Sequence, residues 1–269
     1  MTGVYIELSY IDLAIASLLL LLAGGLSVAL NLGLEKMLGI AALRTTVQLA
    51  LIGLVLKMLF QLTSPWWTAF AALAMVMLAG REVTARQSIK LRGGWSYSIA
   101  TTALITAGGI VTILALTTAV RPEPWYDPRF ALPLLGMMLG NTLTGISVGM
   151  ERLSATLKRE KDAIEARLVL GHTRHDAVKP YVREALRAGL MPIINAMSAA
   201  GLISLPGMMT GQILAGVDPT EAVKYQILIM FLLAGTTSIG ALIAVLATSR
   251  RLGDERDRLR LDRLRETAR

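Results

Sequence analysis

The chain has 269 residues, 54% of them hydrophobic, with 27 Lys and Arg against 19 Asp and Glu and a formal net charge of +8. Several apolar stretches exceed the roughly 20 residues that a membrane-crossing helix needs, which excludes an ordinary water-soluble domain. With no cysteine, disulfides, thiolate metal ligands and iron–sulfur clusters are excluded together.

The expected fold is all-α: a polytopic integral membrane protein forming one transmembrane domain over residues 1–269. Its spans are expected near 12–34, 38–62, 66–82, 97–120, 130–150, 189–216 and 223–247. The first lacks a basic n-region and a small-residue cleavage site, so it is expected to remain as a span rather than be removed as a signal. The second carries Arg44 and Gln48, four residues apart and on one helix face. A charge at that depth is costly and marks a functional candidate. Its alternatives are to snorkel past Lys36 to the headgroups or to pair with a loop carboxylate such as Glu151.

In the fifth span Gly136-Met137-Met138-Leu139-Gly140-Asn141 is echoed in the sixth by Gly207-Met208-Met209-Thr210-Gly211-Gln212. Both motifs fall about 10–12 Å below the same surface at 1.5 Å per residue. They are expected to face each other and line an exit gate. The competing expectation is close helix packing through Gly136, Gly140 and Thr144 and through Gly207, Gly211 and Ala215, with methionine as filler. Pro206 and Gly207 interrupt an apolar stretch that also carries Asn195, Ser198, Thr210 and Gln212. Proline lacks an amide hydrogen and crowds the carbonyl four residues back, here Leu202. In hydrocarbon such a break is tolerated only beside protein or a water-filled cavity.

Between spans five and six lies a polar loop, 151–188. Ile164, Leu168 and Gly171 share one face of a short helix that Gly171 ends, and a second amphipathic run starts at His175. This helix–turn–helix suits a soluble partner. His172 and His175 read as solvated loop residues, so any metal ligands remain unknown. The tail, 249–269, alternates signs at helical spacing, Asp254 with Arg258 and Arg258 with Asp262, and is expected to be a solvated charged helix rather than a docking element.

Orientation follows from the basic residues. Arg81, Arg86, Lys90 and Arg92 follow span three, nine lie between Arg152 and Arg187, and eight lie in the tail from Arg250. The excess of Lys and Arg marks cytoplasmic loops, which puts the N-terminus outside and the C-terminus in the cytoplasm. The positive charge is then read as topology and attraction to anionic membrane lipids, not as nucleic-acid binding.

There is no Gly-x-x-x-x-Gly-Lys-Ser/Thr loop for nucleotide phosphates, no His-Glu-x-x-His pair and no Gly-x-Ser-x-Gly elbow. The chain is therefore not read as an enzyme, and no catalytic residue or bound cofactor is expected. A secondary transporter or channel is the ATP-independent alternative, but it usually shows an intramembrane carboxylate or histidine relay, and none is evident.

Arg44-Thr45-Thr46-Val47-Gln48-Leu49, Leu139-Gly140-Asn141, Ile164 to Gly171, Ser204 to Gly216 and Ala222-Val223-Lys224-Tyr225-Gln226 together resemble the FetB family of ABC-transporter permeases. The resemblance implies the multi-pass membrane subunit of an exporter in a bacterial inner membrane. A separate FetA-type ATP-binding subunit would carry ATP and Mg2+. It further implies iron export linked to oxidative-stress tolerance, with plant relatives tied to aluminium tolerance and to a possible nucleotide-sugar cargo. Glu165, Ala166 and Gly171, with Leu168 on the same short helix, then correspond to an ABC coupling helix in which Arg167 replaces the second alanine. Two nucleotide sites per machine make a homodimer within a 2+2 complex the default. For the cargo, thioethers favour Cu(I) over Fe(II), and Arg44 suits an organic anion, so a metal and an organic anion both stay open.

Overall fold

The structure, a computed structural model, describes residues 9–61, 64–254 and 256–266. The expected positions of the N-terminal segment before Ser9, of the end of span two at residue 62 and of the last three tail residues lie outside these. The elements in order are α1 (Tyr10–Ala29), α2 (Glu35–Leu59), α3 (Pro65–Arg86), β1 (Ile89–Leu91), α4 (Trp95–Leu104), α5 (Ile110–Ala115), α6 (Pro128–Arg159), α7 (Lys161–Val169), α8 (Arg174–Ala199), α9 (Gly207–Leu214), α10 (Pro219–Arg251) and β2 (Leu264–Glu266). Single π-helical turns, Ile105–Gly109 and Leu116–Val120, follow α4 and α5, so 95–120 is one continuous helical path.

Helix starts are written plainly in the sequence. Ser64-Pro65, Asp127-Pro128 and Asp218-Pro219 each put a capping residue before a proline at the first helical position, where the missing N–H costs nothing. Asp127 and Asp218 accept backbone bonds from Arg129 at 2.9 Å and Thr220 at 2.8 Å. At α1, Ser9 and Asp12 form a reciprocal capping box.

Among the described residues six helical paths, 11–29, 35–59, 65–86, 95–120, 128–159 and 219–251, are long and apolar enough to cross a membrane. The seventh expected span, 189–216, is a helix, a break and a helix: α8 ends at Ala199 and α9 begins at Gly207. α6 is the axis of the bundle, packed against α3, α8 and α10. One core cluster, including Val83, Leu104, Ile146, Met150, Leu153, Ile164 and Leu252, occupies the end carrying the basic loops; a second, around Val111, Leu134, Met138, Ile193 and Ile229, lies toward the other end. By contrast α1 and α2 pack on each other and expose apolar side chains along nearly their whole length.

Three expectations about packing need correction. First, the tail is not a solvated helix. After α10 the chain turns back, and β2 pairs antiparallel with β1, Leu91 opposite Leu264. Leu252 and Leu264 are buried, and Leu259 and Leu261 pack on the same core. The leucines drive this docking, because burying each is worth about 1.5–3 kcal/mol, more than exposed i,i+4 pairs supply. Arg258 does bond Asp254 at 2.8 Å, but Asp262 pairs with Arg260 rather than Arg258. The Arg260 guanidinium holds the Asp262 carboxyl down at about 2.

Second, the close helix crossing uses other glycines. A Cβ on Gly189 would lie 2.6 Å from the Gly145 carbonyl oxygen and 3.4 Å from Gly149 Cα, whereas Gly140, Gly207 and Gly211 have nothing within 4 Å. Of the expected stripes only Gly136 meets a neighbour, the Met75 methyl at 3.2 Å. Third, Pro206 does not kink a continuous helix. Gly201, at φ +88°, ends the preceding segment, and Pro206 is the N-cap of α9. No i−4 carbonyl is displaced at Leu202, because no helix passes through it.

Candidate functional site

The sequence candidates fall at the basic end, along the α6–α8 pair, at the α8–α9 break and on α2. At the basic end α7 projects as a short helix. Ile164 is fully buried and Leu168 packs on the core beside it. Gly171, at φ +89°, supplies the left-handed turn after the helix. Thr173 then caps α8: its hydroxyl bonds Asp176 Oδ2 at 2.7 Å and accepts the Asp176 N–H at 3.2 Å. That hydroxyl bond is the main reason the Asp176 carboxyl sits below its ordinary range. His172 and His175 are both exposed.

The other face of α7 is unusual. Glu165 and Ala166 are exposed, as expected of a docking helix, and so are Val169 at 87% and Leu170 at 79%. Ala166, Val169 and Leu170 stand at i, i+3 and i+4 and form an apolar stripe pointing away from the protein. Of the expected coupling residues, Leu168 faces inward and Gly171 shapes the turn. Val169 and Leu170 were missed because an apolar residue is read as core by default; their i+3, i+4 offset from Ala166, out of phase with Ile164, was the available signal.

The second surface runs along α6 and α8. Thr144, Ser147, Arg152, Glu184, Arg187 and Met191 border a cavity of about 680 Å³. Arg152 Nε donates to Glu184 Oε1 at 2.8 Å and ties the two helices. Stepping one helical turn from Thr144 and from Met191 reaches Asn141 and Asn195, both exposed. Asn141 Nδ2 donates to the Met137 carbonyl at 3.1 Å, leaving its side-chain oxygen available. Arg152, Glu184 and Arg187 were counted as loop charges because spans five and six were placed at 130–150 and 189–216. The helices run farther, to Arg159 and from Arg174, so these charges extend the stripe of Asn141 and Asn195.

The paired methionine motifs meet at the second core cluster: Met138 is part of it, and Met137, Met197, Met208 and Met230 pack on it. Met138 is fully buried and its sulfur accepts the Thr236 hydroxyl at 3.3 Å, a packing position. Met209 instead lines a cavity of about 490 Å³ with Met197, Met230, Pro206 and Gln226 at the α8–α9 break. Gln226 is 8% exposed, and its Oε1, like that of Gln212, is buried without a hydrogen-bond partner. Gly207 is open and exposed.

Arg44 pairs with a carboxylate, but not with Glu151. Its Nη2 lies 2.6 Å from Glu82 Oε2 on α3, and Arg86 reaches the other oxygen at 3.3 Å. Glu151 is occupied elsewhere, accepting the Ser88 N–H at 3.0 Å and the Ser88 hydroxyl. Glu82 was overlooked because it stood at the last position of span three. Gln48 is exposed one turn away on α2. Since α1 and α2 bury little against the bundle, Arg44→Glu is expected to loosen α2 from α3 and lower the melting temperature in detergent, and Arg44→Glu with Glu82→Arg to recover most of it. Wild-type melting of the single variant would show that this ion pair does not hold α2 to α3.

Long apolar helices around two joined cores, with apolar side chains turned outward along them, define a multi-pass α-helical membrane protein. The chain belongs to the family described as Uncharacterised protein family (UPF0014), which it matches over residues 10–252. It is 41% identical over 210 residues to a UPF0014 membrane protein of Synechocystis, covering 76% of this chain and 78% of that one. It is 31% identical over 255 residues to the probable iron export permease protein FetB of Escherichia coli, covering 95% of this chain and 96% of the relative. To the Arabidopsis thaliana protein ALUMINUM SENSITIVE 3 it is 33% identical over 229 residues, 85% of this chain and 82% of the relative. No solved structure matches.

Proposed function

We infer that this protein is the permease subunit of an ATP-driven exporter of iron or a related metal ion, working with a separate FetA-type ATP-binding subunit that holds ATP and Mg2+. The observation that carries the reading is the outward stripe Ala166, Val169 and Leu170 on α7. An apolar stripe on a helix beyond the membrane helices needs a partner to cover it. The excess of Lys and Arg in the loops around α7 supports a cytoplasmic α7, an N-terminus outside and α8–α9 as a broken sixth of seven crossings. The naming of the FetB relative as a probable iron export permease supports the cargo.

The polar stripe Asn141, Thr144, Arg152, Glu184, Arg187 and Asn195 supports a homodimer. In hydrocarbon its Asn141, Thr144 and Asn195 part requires protein or water over it, and the charges continue the row beyond the apolar length. A second copy, laid across the open Gly140 face, would enclose it as the path. Neutral oxygens of Asn141, Asn195 and Gln212 with the thioethers of Met137, Met208 and Met209 offer weak donors toward the exit, which suits a cargo that must be released. Met138 contributes packing behind them.

The test is uptake of labelled iron into inside-out vesicles containing this chain and its ATPase, with an ATPase Walker-lysine variant as control. Uptake requiring both subunits and ATP establishes the reading. A chain in which Met137, Met208 and Met209 are all Leu is expected to keep its fold and lose at least tenfold in uptake; full uptake would remove the methionines from the path. ATP hydrolysis with no iron uptake would point to an organic anion or nucleotide sugar as cargo, and ATP-independent uptake to a secondary transporter or channel.

A further inference from the structure

A cavity of about 1230 Å³ belongs to neither surface above. It opens at the basic end between the start of α4, the end of α10 and the returning tail. Six arginines line it, Arg174, Arg250, Arg251, Arg256, Arg258 and Arg263, with Asp254 as the one acidic residue among the described lining.

The arginines divide by role. Arg263 Nη1 donates to the Arg251 and Gly253 carbonyls at 2.7 and 3.1 Å, and Arg174 Nη1 to the Ser249 carbonyl at 3.0 Å. These two hold the turn that builds the wall, and the Arg174 guanidinium lies over Gly253 where a Cβ would displace it. Arg174 Nε remains buried without a hydrogen-bond partner. Arg258 is paired with Asp254 at 2.7 Å. Among the described residues no carboxylate lies within ion-pair distance of Arg250, Arg251 or Arg256. The Arg251 guanidinium stacks over the Trp95 ring, 4.2 Å from its centroid, an arrangement that holds the charge in place without neutralising it.

The opposite wall is apolar. Ile99, Leu242, Ile243, Leu246 and Ala247 line it, and Leu242 is exposed outward on the membrane-crossing length of α10. Trp95, half exposed, stands where the two walls meet, as an interfacial aromatic does. A soluble phosphate would use the guanidiniums and leave the apolar wall uncovered. A molecule with an anionic headgroup and acyl chains uses both.

We propose that this cavity is a binding site for an anionic diacyl phospholipid, its phosphate among Arg250, Arg251 and Arg256 and its acyl chains along Leu242 and Leu246. The site joins α4, α10 and the tail, so a bound lipid clamps the tail to the membrane bundle. It is independent of the cargo, and its test does not use transport.

The full chain, purified in detergent, is exchanged with dioleoyl-phosphatidylglycerol or dioleoyl-phosphatidylcholine, and retained lipid is counted by native mass spectrometry. The expected result is at least a tenfold preference for phosphatidylglycerol, since each arginine near an anionic lipid contributes about 1 kcal/mol. The chain with Arg250→Gln, Arg251→Gln and Arg256→Gln loses the preference while eluting as a folded species. Equal retention of the two lipids by the wild-type chain, which requires no variant to fold, overturns the proposal. So does displacement of phosphatidylglycerol by millimolar inorganic phosphate at constant ionic strength, which would assign the cavity to a soluble anion. A headgroup preference unchanged in the triple variant places the lipid elsewhere and overturns it as well.

Discussion

Gly189→Val is expected to keep α6 and α8 from closing, with loss of most of the folded protein. The atoms in the way are backbone: the added carbon would sit 2.6 Å from the Gly145 carbonyl oxygen. Overpacking against side chains costs about 1–3 kcal/mol because they can rotate away. Here the relief must come from separating two long helices, so the cost lies at or above the upper end. Separation would also break the Arg152–Glu184 bond and open the core shared with α10. Thermal unfolding in detergent, followed by elution as a single species, checks this. The control is Gly140→Val on α6, the facing helix, where nothing lies within 4 Å. The protomer should tolerate it, and if a second copy covers that face, dimer formation and transport should suffer instead. Equal melting of Gly189→Val and wild type would show that the crossing has slack.

The contrast between these glycines shows what is legible in a sequence. Small residues at four-residue spacing announce that a helix can be approached closely, but not from which side or by what. Gly136, Gly140 and Thr144 have the same pattern as Gly145 and Gly149, and only the partner's Gly189 selects between them. The membrane spans were readable because length and apolarity are properties of one segment, and the Ser-Pro and Asp-Pro starts are equally local. The break near Pro206 was readable for the same reason, though proline turned out to begin a helix after a turn made by Gly201.

Long-range pairings were not readable. Arg44 finds Glu82 rather than Glu151 because two helices bring residues 38 positions apart together. The tail's charges look like a solvated helix when only i,i+4 neighbours are considered. Its leucines, spaced at 252, 259, 261 and 264, fit no regular face, and their use is visible only once β1 offers an edge to β2 and Lys158 a counter-charge to Glu266. Helix ends past the hydrocarbon were invisible to hydropathy, which placed Arg152, Glu184 and Arg187 in a loop.

On the proposed pairing with an ATP-binding subunit, Val169→Ser with Leu170→Ser is expected to abolish coupled transport while leaving the protein folded. Both side chains already face water, at 87% and 79% exposure, so removing them takes nothing from the core that holds Ile164 and Leu168. A partner that covers them gains about 1.5–3 kcal/mol from each. Losing both therefore weakens the docking by roughly 3 kcal/mol or more, over a hundredfold in affinity. The prediction separates α7's two faces. Ile164→Ser should lower melting first and docking as a consequence, whereas the double serine variant should melt like wild type and fail to retain the ATPase in a pull-down. Retention of the ATPase at wild-type strength by the double variant would mean that the exposed stripe is not where the motor pushes. Loss of melting temperature would mean instead that Val169 and Leu170 are covered within the membrane assembly itself, by the second copy.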